Sequence, residues 1–98
     1  MISVIICTFN RAEKLRNCLQ SFTKIISNVP WELIVVNNNC TDDTQDVIKH
    51  FQTTTPLPLV SCFEENKGLG NARNAGLLKA RYELVAYTDD DCEVDVHW

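Results

Sequence analysis

Positive charge is scarce in this chain. Nine Lys and Arg stand against thirteen Asp and Glu, which leaves a net charge of −4 and an isoelectric point near 5.0. No basic field is available to hold a phosphate backbone by counterion release, so nucleic acid is excluded as an expected partner. Long apolar runs are missing too. Nothing approaches the ~20 consecutive apolar residues of a membrane span, and the opening run from Met1 to Cys7 is too short and too uncharged for a signal peptide. The five cysteines (Cys7, Cys18, Cys40, Cys62, Cys92) show no C-x-x-C spacing and are odd in number, and His50 and His97 stand isolated. That argues against a zinc site or a secreted disulfide framework and for reduced, mostly buried thiols in a reducing compartment. The segment is expected to be soluble, and no internal repeat or low-complexity tract interrupts it.

What is present is ordinary globular material, 45% hydrophobic and 22% charged. With 98 residues it is one domain at most, hiding only about 60–65% of its unfolded surface. Ile2 to Cys7 is a β-branched run suited to a strand buried on both faces of a parallel sheet. Asn10 with Glu13 three residues on has the form of a capping box, and Leu15, Leu19, Phe22 and Ile26 repeat at helical spacing, so a helix is expected to about Ile26. Trp31 to Val36 reads as a second strand and Asn37-Asn38-Asn39-Cys40 as a turn, after which Thr41 or Asp42 caps a helix carrying Val47, Ile48 and Phe51 on one face. Leu59 to Phe63 reads as a third strand. Ala72, Ala75, Gly76 and Leu77 suit a helix packed closely on the sheet, and Leu84 to Tyr87 reads as a fourth strand. The order β-α-β-α-β-α-β implies an α/β fold with a mostly parallel sheet and helices on both its faces.

In such sheets ligands bind at the carboxyl ends of the strands. The unusual polar residues all fall there: Thr8-Phe9-Asn10-Arg11 after the first strand, Asn37 to Asn39 after the second, Glu64 to Arg73 after the third and Asp89-Asp90-Asp91 after the fourth. Five of the seven residues from Asp89 to Asp95 are acidic. Two carboxylates about 4 Å apart repel by roughly 4 kcal/mol at an effective dielectric near 20, a strain relieved by a proton or a cation. A solvated acidic loop is the competing reading, and placement directly after an apolar strand favours a divalent metal on hard oxygen ligands, magnesium, manganese or calcium. Gly68-Leu69-Gly70-Asn71-Ala72-Arg73 is not a dinucleotide fingerprint, because Arg73 stands where the third glycine belongs and the third strand precedes it. It suits a glycine loop that brings a helix N-terminus and Arg73 toward an anionic ligand, or simply a tight turn with a surface arginine.

These segments together resemble the N-terminal half of the family 2 glycosyltransferases of the GT-A fold. The resemblance rests on Val4 to Arg11, Val35 to Asp42, Gly68 to Gly76 and Thr88 to Asp91, and covers essentially the whole chain. It implies a Rossmann-like nucleotide-binding half, an incomplete domain, that binds a nucleoside-diphosphate sugar (UDP-, GDP- or dTDP-linked). Thr8, Phe9, Asn10, Arg11, Asn37, Asn39, Gly70, Arg73, Asp89 and Asp90 are the implied donor-binding residues, and Asp89 and Asp91 the implied ligands of manganese or magnesium. Two departures bear on base selectivity: Phe9 stands where the family often has Tyr, and Asn37 where it often has Asp. The general base is implied to lie in the second half of the domain, and the chain stops at Trp98. The segment is therefore expected to bind donor without turnover. The acceptor, a glycan, lipid or protein, stays open. The expected location is the cytoplasm, with any membrane association left to C-terminal segments beyond Trp98. Two rivals fit less well. Aspartate-nucleophile phosphatases carry Thr or Val where Glu93 stands, and a receiver-like metal- or nucleotide-binding module would split its acids among strand ends.

Overall fold

A computed structural model describes residues 1–25 and 30–92. Four strands, β1 (Ile2–Thr8), β2 (Trp31–Asn37), β3 (Leu59–Phe63) and β4 (Leu84–Asp89), alternate with three helices, α1 (Ala12–Phe22), α2 (Thr44–Thr54) and α3 (Leu69–Lys79). The strands form one parallel sheet in the order β3-β2-β1-β4. The fold is the α/β, Rossmann-like arrangement expected from the alternation of elements.

The sheet separates two cores, and strand periodicity assigns each side chain to one of them. Val4 and Ile6 of β1 with Leu33 and Val35 of β2 pack beneath α1 and α2, against Leu15, Leu19, Phe22, Val47, Ile48 and Phe51. Ile5, Ile34 and Val36 point the other way, to Cys62 and to Ala72 of α3. Both central strands are thus buried on two faces, which is why they read as largely apolar runs, broken near their amino ends by Ser3 and Glu32. α3 lies close to the sheet because Gly76 has no side chain: a Cβ there would meet Cγ2 of Ile5 at 2.6 Å and Cγ2 of Val36 at 3.1 Å. Leu77, expected on that packed face, is instead 49% exposed, with Leu78 beside it at 89%. Among the described residues β4 pairs only with β1, and it keeps Leu84 and Tyr87 exposed.

The amino ends of the central strands are tied by a buried carboxylate. Glu32 accepts hydrogen bonds from the Ser3 hydroxyl (2.6 Å) and the Arg81 N–H (2.7 Å), and its other oxygen lies 3.4 Å from the Arg81 guanidinium. Burial alone would raise its pKa. The hydrogen bonds from Arg81 and Ser3 and the charge of Arg81 outweigh that and hold it below the usual carboxylate value. This network fixes the turn that launches β4 alongside β1.

Two local expectations are corrected. Asn10 does not cap α1, whose N-cap is Arg11 without a side-chain cap. Asn10 takes a positive φ of 50° and directs its side-chain oxygen to the Thr41 N–H at 2.8 Å. The α1 terminus is served from another loop, where one oxygen of Asp42 accepts the Ala12 N–H at 3.2 Å. The other oxygen accepts the Thr44 N–H (3.1 Å) and hydroxyl at the start of α2. One carboxylate therefore closes two helices. Thr23 forms the C-cap of α1, its hydroxyl donating to the Gln20 carbonyl at 2.6 Å, a local bond that competes with helix continuation. Ile26, the expected end, lies outside the described residues.

Candidate nucleotide and metal site

The strand order reverses between β1 and β4: β2 and β3 follow on one side of β1, and β4 on the other. A crevice at the carboxyl ends of those two strands is where an open parallel sheet binds ligands. A cavity of about 550 Å³ lies there, within the 300–1,000 Å³ range of small-molecule sites. β1 and its loop contribute Cys7, Thr8, Phe9 and Arg11, and Asn38 comes from the end of β2. Lys67, Gly68, Leu69 and Ala72 come from the entry to α3, and Asp89, Asp90 and Asp91 from the end of β4.

The three aspartates divide their work. In the β1–β4 register Cys7 faces Asp89, and one step on, the Thr8 hydroxyl donates to Asp90 at 2.9 Å. The Arg11 guanidinium reaches the other oxygen of Asp90 at 3.3 Å, and Asp91 at 4.0 Å. Asp90 is only 5% exposed and is committed to these partners. A turn closed by the Cys92 N–H on the Asp89 carbonyl (3.3 Å) leaves Asp89 and Asp91 exposed. Their ligand atoms and the Cys92 sulfur all lie within 4.8 Å of one another. Two exposed carboxylates beside an open cavity fit a hard divalent cation, which takes one or two protein carboxylates and completes its shell with phosphate oxygens and water. Asp89 and Asp91 are the residues that would hold it.

The remaining residues singled out in the sequence are placed as follows. Asn37 is buried, donating to Gln45 of α2 at 2.9 Å and accepting the Cys40 N–H at 2.8 Å. Asn39 has a φ of 61° and shapes the turn. Asn10 ties its loop to Thr41 and Asp42, and its own N–H points at the Cys40 sulfur at 3.3 Å. Gly70 sits inside α3 with open space where a Cβ would go. Arg73 stacks on Tyr87, 5.6 Å from the ring centroid, over an adjoining depression of about 280 Å³ that shares Cys7, Leu69 and Asp89 with the main cavity. The main cavity thus gathers Thr8, Phe9, Arg11 and the three aspartates, while these five stand outside its lining.

Asn38 and Lys67 lie within the strand-end segments recognised in the sequence, but neither stands among the implied donor-binding residues. Asn38 donates to the carbonyls of Glu64 (3.0 Å) and Asn66 (2.9 Å) and accepts the Gly68 N–H (3.1 Å), fixing the loop before α3. Lys67 lies over the Phe9 ring at 5.9 Å. The signal for Asn38 was strand alternation, since it follows Val36 on the face that looks toward α3. None of the five cysteines is in a disulfide; Cys18 and Cys62 are buried, Cys7 and Cys40 half-buried, and Cys92 exposed. Burial pushes the Cys7 thiol up to about 11 against the opposing pull of Arg73, so the cavity wall there is a neutral thiol at physiological pH.

The fold and the acidic rim define a Rossmann-like α/β domain with a crevice at its strand-order reversal, and comparison with known proteins gives the family. The sequence profile of Glycosyl transferase family 2 matches residues 3–98, and the chain belongs to that family. It is 30% identical over 98 residues to the glycosyltransferase AglE of Haloferax volcanii, covering 99% of this chain and 32% of that protein. It is also 30% identical over 94 residues to a poly-beta-1,6-N-acetyl-D-glucosamine synthase of Staphylococcus epidermidis, covering 96% of this chain and 22% of that one. Among solved structures, S. aureus TarS in complex with UDP-GlcNAc superposes with a TM-score of 0.79 at 29% identity, covering 92% of this chain and 26% of that one. The mannosyltransferase PcManGT of Pyrobaculum calidifontis, in complex with GDP-Man and Mn2+, gives 0.82 at 29% identity, covering 92% and 27%. The chain therefore spans about a third or less of the length of these relatives. Among the described residues no helix is long and apolar enough to cross a membrane.

Proposed function

We propose that residues 1–98 are the donor-binding part of a glycosyltransferase that moves a sugar from a nucleoside diphosphate to an acceptor hydroxyl. The observation that carries this is the meeting of the aspartate triplet with Thr8, Phe9 and Arg11 around one cavity at the strand-order reversal. Both similar structures named above were solved with nucleotide sugars, UDP-GlcNAc in one and GDP-Man in the other. In this reading Phe9, 46% exposed at the rim, offers a ring face to the base. Thr8 and Arg11 hold Asp90 in place, and the turn at Cys92 presents Asp89 and Asp91 to the diphosphate side. A manganese or magnesium ion, when bound there, supplies Lewis-acid stabilisation of the charge that builds on the leaving diphosphate.

Asn37 and Asn39 support the base-binding turn, and Asn10 the loop that carries Phe9 and Arg11. Gly70 and Arg73 act from the α3 side, where Arg73 must leave Tyr87 to meet donor. In this reading residues 1–98 bind the donor. The acceptor is a glycan, lipid or protein, and the location is cytoplasmic. Calorimetric titration of UDP, GDP and dTDP with and without Mn2+ tests the reading. Metal-dependent binding of at least one of them is expected; binding of none, with the chain folded, would refute it.

A further inference from the structure

The cavity is lined by three carboxylates and two cations, Arg11 and Lys67, and the two cations are not equivalent. Arg11 is spent on Asp90 and Asp91, at 3.3 and 4.0 Å. Lys67 makes no ion pair among the described residues, and its ammonium rests over the face of Phe9, 5.9 Å from the centroid. Its backbone is fixed on both sides, because Asn38 takes the Gly68 N–H and donates to the Asn66 carbonyl while being only 6% exposed itself. The side chain itself is exposed. A cation resting on an exposed aromatic ring is held weakly, by about 0.5–1 kcal/mol. A base arriving on Phe9 displaces it at little cost, and a diphosphate in the same cavity is the stronger partner.

We propose that Lys67, presented by the Asn38 staple, is the residue of this chain that contacts the donor's diphosphate, exchanging the Phe9 ring for phosphate oxygens when the base stacks. This rests on the donor-binding reading above and assigns the diphosphate contact within it. It follows that Lys67 distinguishes nucleoside diphosphates from nucleosides, whereas Phe9 serves both.

The test compares the chain with its Lys67→Met and Lys67→Arg variants, titrated with UDP and GDP and with uridine and guanosine, in Mn2+ at several salt concentrations. Lys67 is exposed and its substitution leaves the fold intact, as circular dichroism will verify. Lys67→Met should weaken the bound diphosphate about tenfold or more, leave the nucleoside unchanged and flatten the salt dependence. Lys67→Arg should retain most of the affinity. Equal diphosphate binding by Lys67→Met and the unsubstituted chain would overturn the proposal while leaving the donor site standing. A parallel loss for diphosphate and nucleoside would also overturn it, since Lys67 would then act on the base. If the unsubstituted chain binds neither ligand, the donor-binding reading falls and this assignment with it.

Discussion

Gly76→Ala adds a single methyl group at the closest contact between α3 and the sheet. The new Cβ would stand 2.6 Å from Cγ2 of Ile5 and 3.1 Å from Cγ2 of Val36. Both atoms are methyls on β-branched side chains of fully buried central-strand residues, which have little χ1 freedom with which to retreat. Overpacking of this kind costs about 1–3 kcal/mol, and the gain in helix propensity from Gly to Ala returns at most ~1 kcal/mol. A 2.6 Å contact with a buried branched methyl belongs at about 2–3 kcal/mol of that cost, so the net expectation is a loss of about 1–2 kcal/mol, or a fall in Tm of about 5–15 °C for a domain of this size. Gly70→Ala is the internal control. It lies in the same helix with no atom within 4 Å of its would-be Cβ, so only the propensity term acts and the variant should gain up to about 1 kcal/mol. Thermal and urea unfolding followed by circular dichroism measure both. A Gly76→Ala protein as stable as the unsubstituted chain, or two variants shifting in the same direction, would refute the close-packing argument. If Gly70→Ala is more stable yet binds nucleotide less well, the missing side chain at position 70 serves the ligand.

Asp42→Ala should cost about 1–2 kcal/mol, because it removes the acceptor at the starts of both α1 and α2; denaturant midpoints check this. Acid should destabilise the chain through Glu32 and Asp42, both held below the usual carboxylate value, buried Glu32 by the bonds from Arg81 and Ser3 and exposed Asp42 by those from Thr44 and Ala12. A depressed folded pKa gives stability that is present above the unfolded value and lost as pH falls through the folded one. The urea midpoint should therefore drop below about pH 4.5, and less steeply in Glu32→Gln, which at neutral pH is itself weaker by about 1–3 kcal/mol. Thr8→Val removes the hydroxyl that meets buried Asp90, for an expected loss of about 1–3 kcal/mol and weaker nucleotide binding by calorimetry.

The strands were legible because a parallel sheet buried on both faces favours apolar runs rich in β-branched residues, and Ile2 to Cys7 and Trp31 to Val36 are such runs apart from the polar pair Ser3 and Glu32. The role of Gly76 was legible as well, from a small residue set among alanines at helical spacing. Capping was not. Asn10 and Glu13 have the right spacing for a capping box, but Asn10 adopts a positive φ and its oxygen is drawn to Thr41 and Asp42 across the sheet end. That contact exists only after β1 and β2 have paired. Leu77 fits the helical spacing of a packed face, yet α3 meets the sheet through Ala72 and Gly76, and its outer leucines face away from the two cores.

At the site, the convergence of four strand-end segments followed from the alternation of elements, and the aspartate triplet does face the loops after β1 and β2 and before α3. The division of labour inside the triplet did not follow from composition. It arises from the β1–β4 register, which sets Asp90 against Thr8, and from the turn at Cys92, which keeps Asp89 and Asp91 outward. Asn37 and Asn39 drew attention where Asn38 does more. Strand alternation sends Asn37 toward α2 and Asn38 toward the loop before α3.

Paramagnetic broadening of amide NMR signals by Mn2+, in the presence of a bound nucleotide, locates the ion directly. The account predicts selective loss of signal from Asp89 to Cys92, Thr8 to Arg11 and Lys67 to Leu69, with α2 residues such as Lys49 and Gln52 unaffected and the effect abolished by Asp91→Asn. Broadening centred anywhere else, or unchanged in Asp91→Asn, would contradict it.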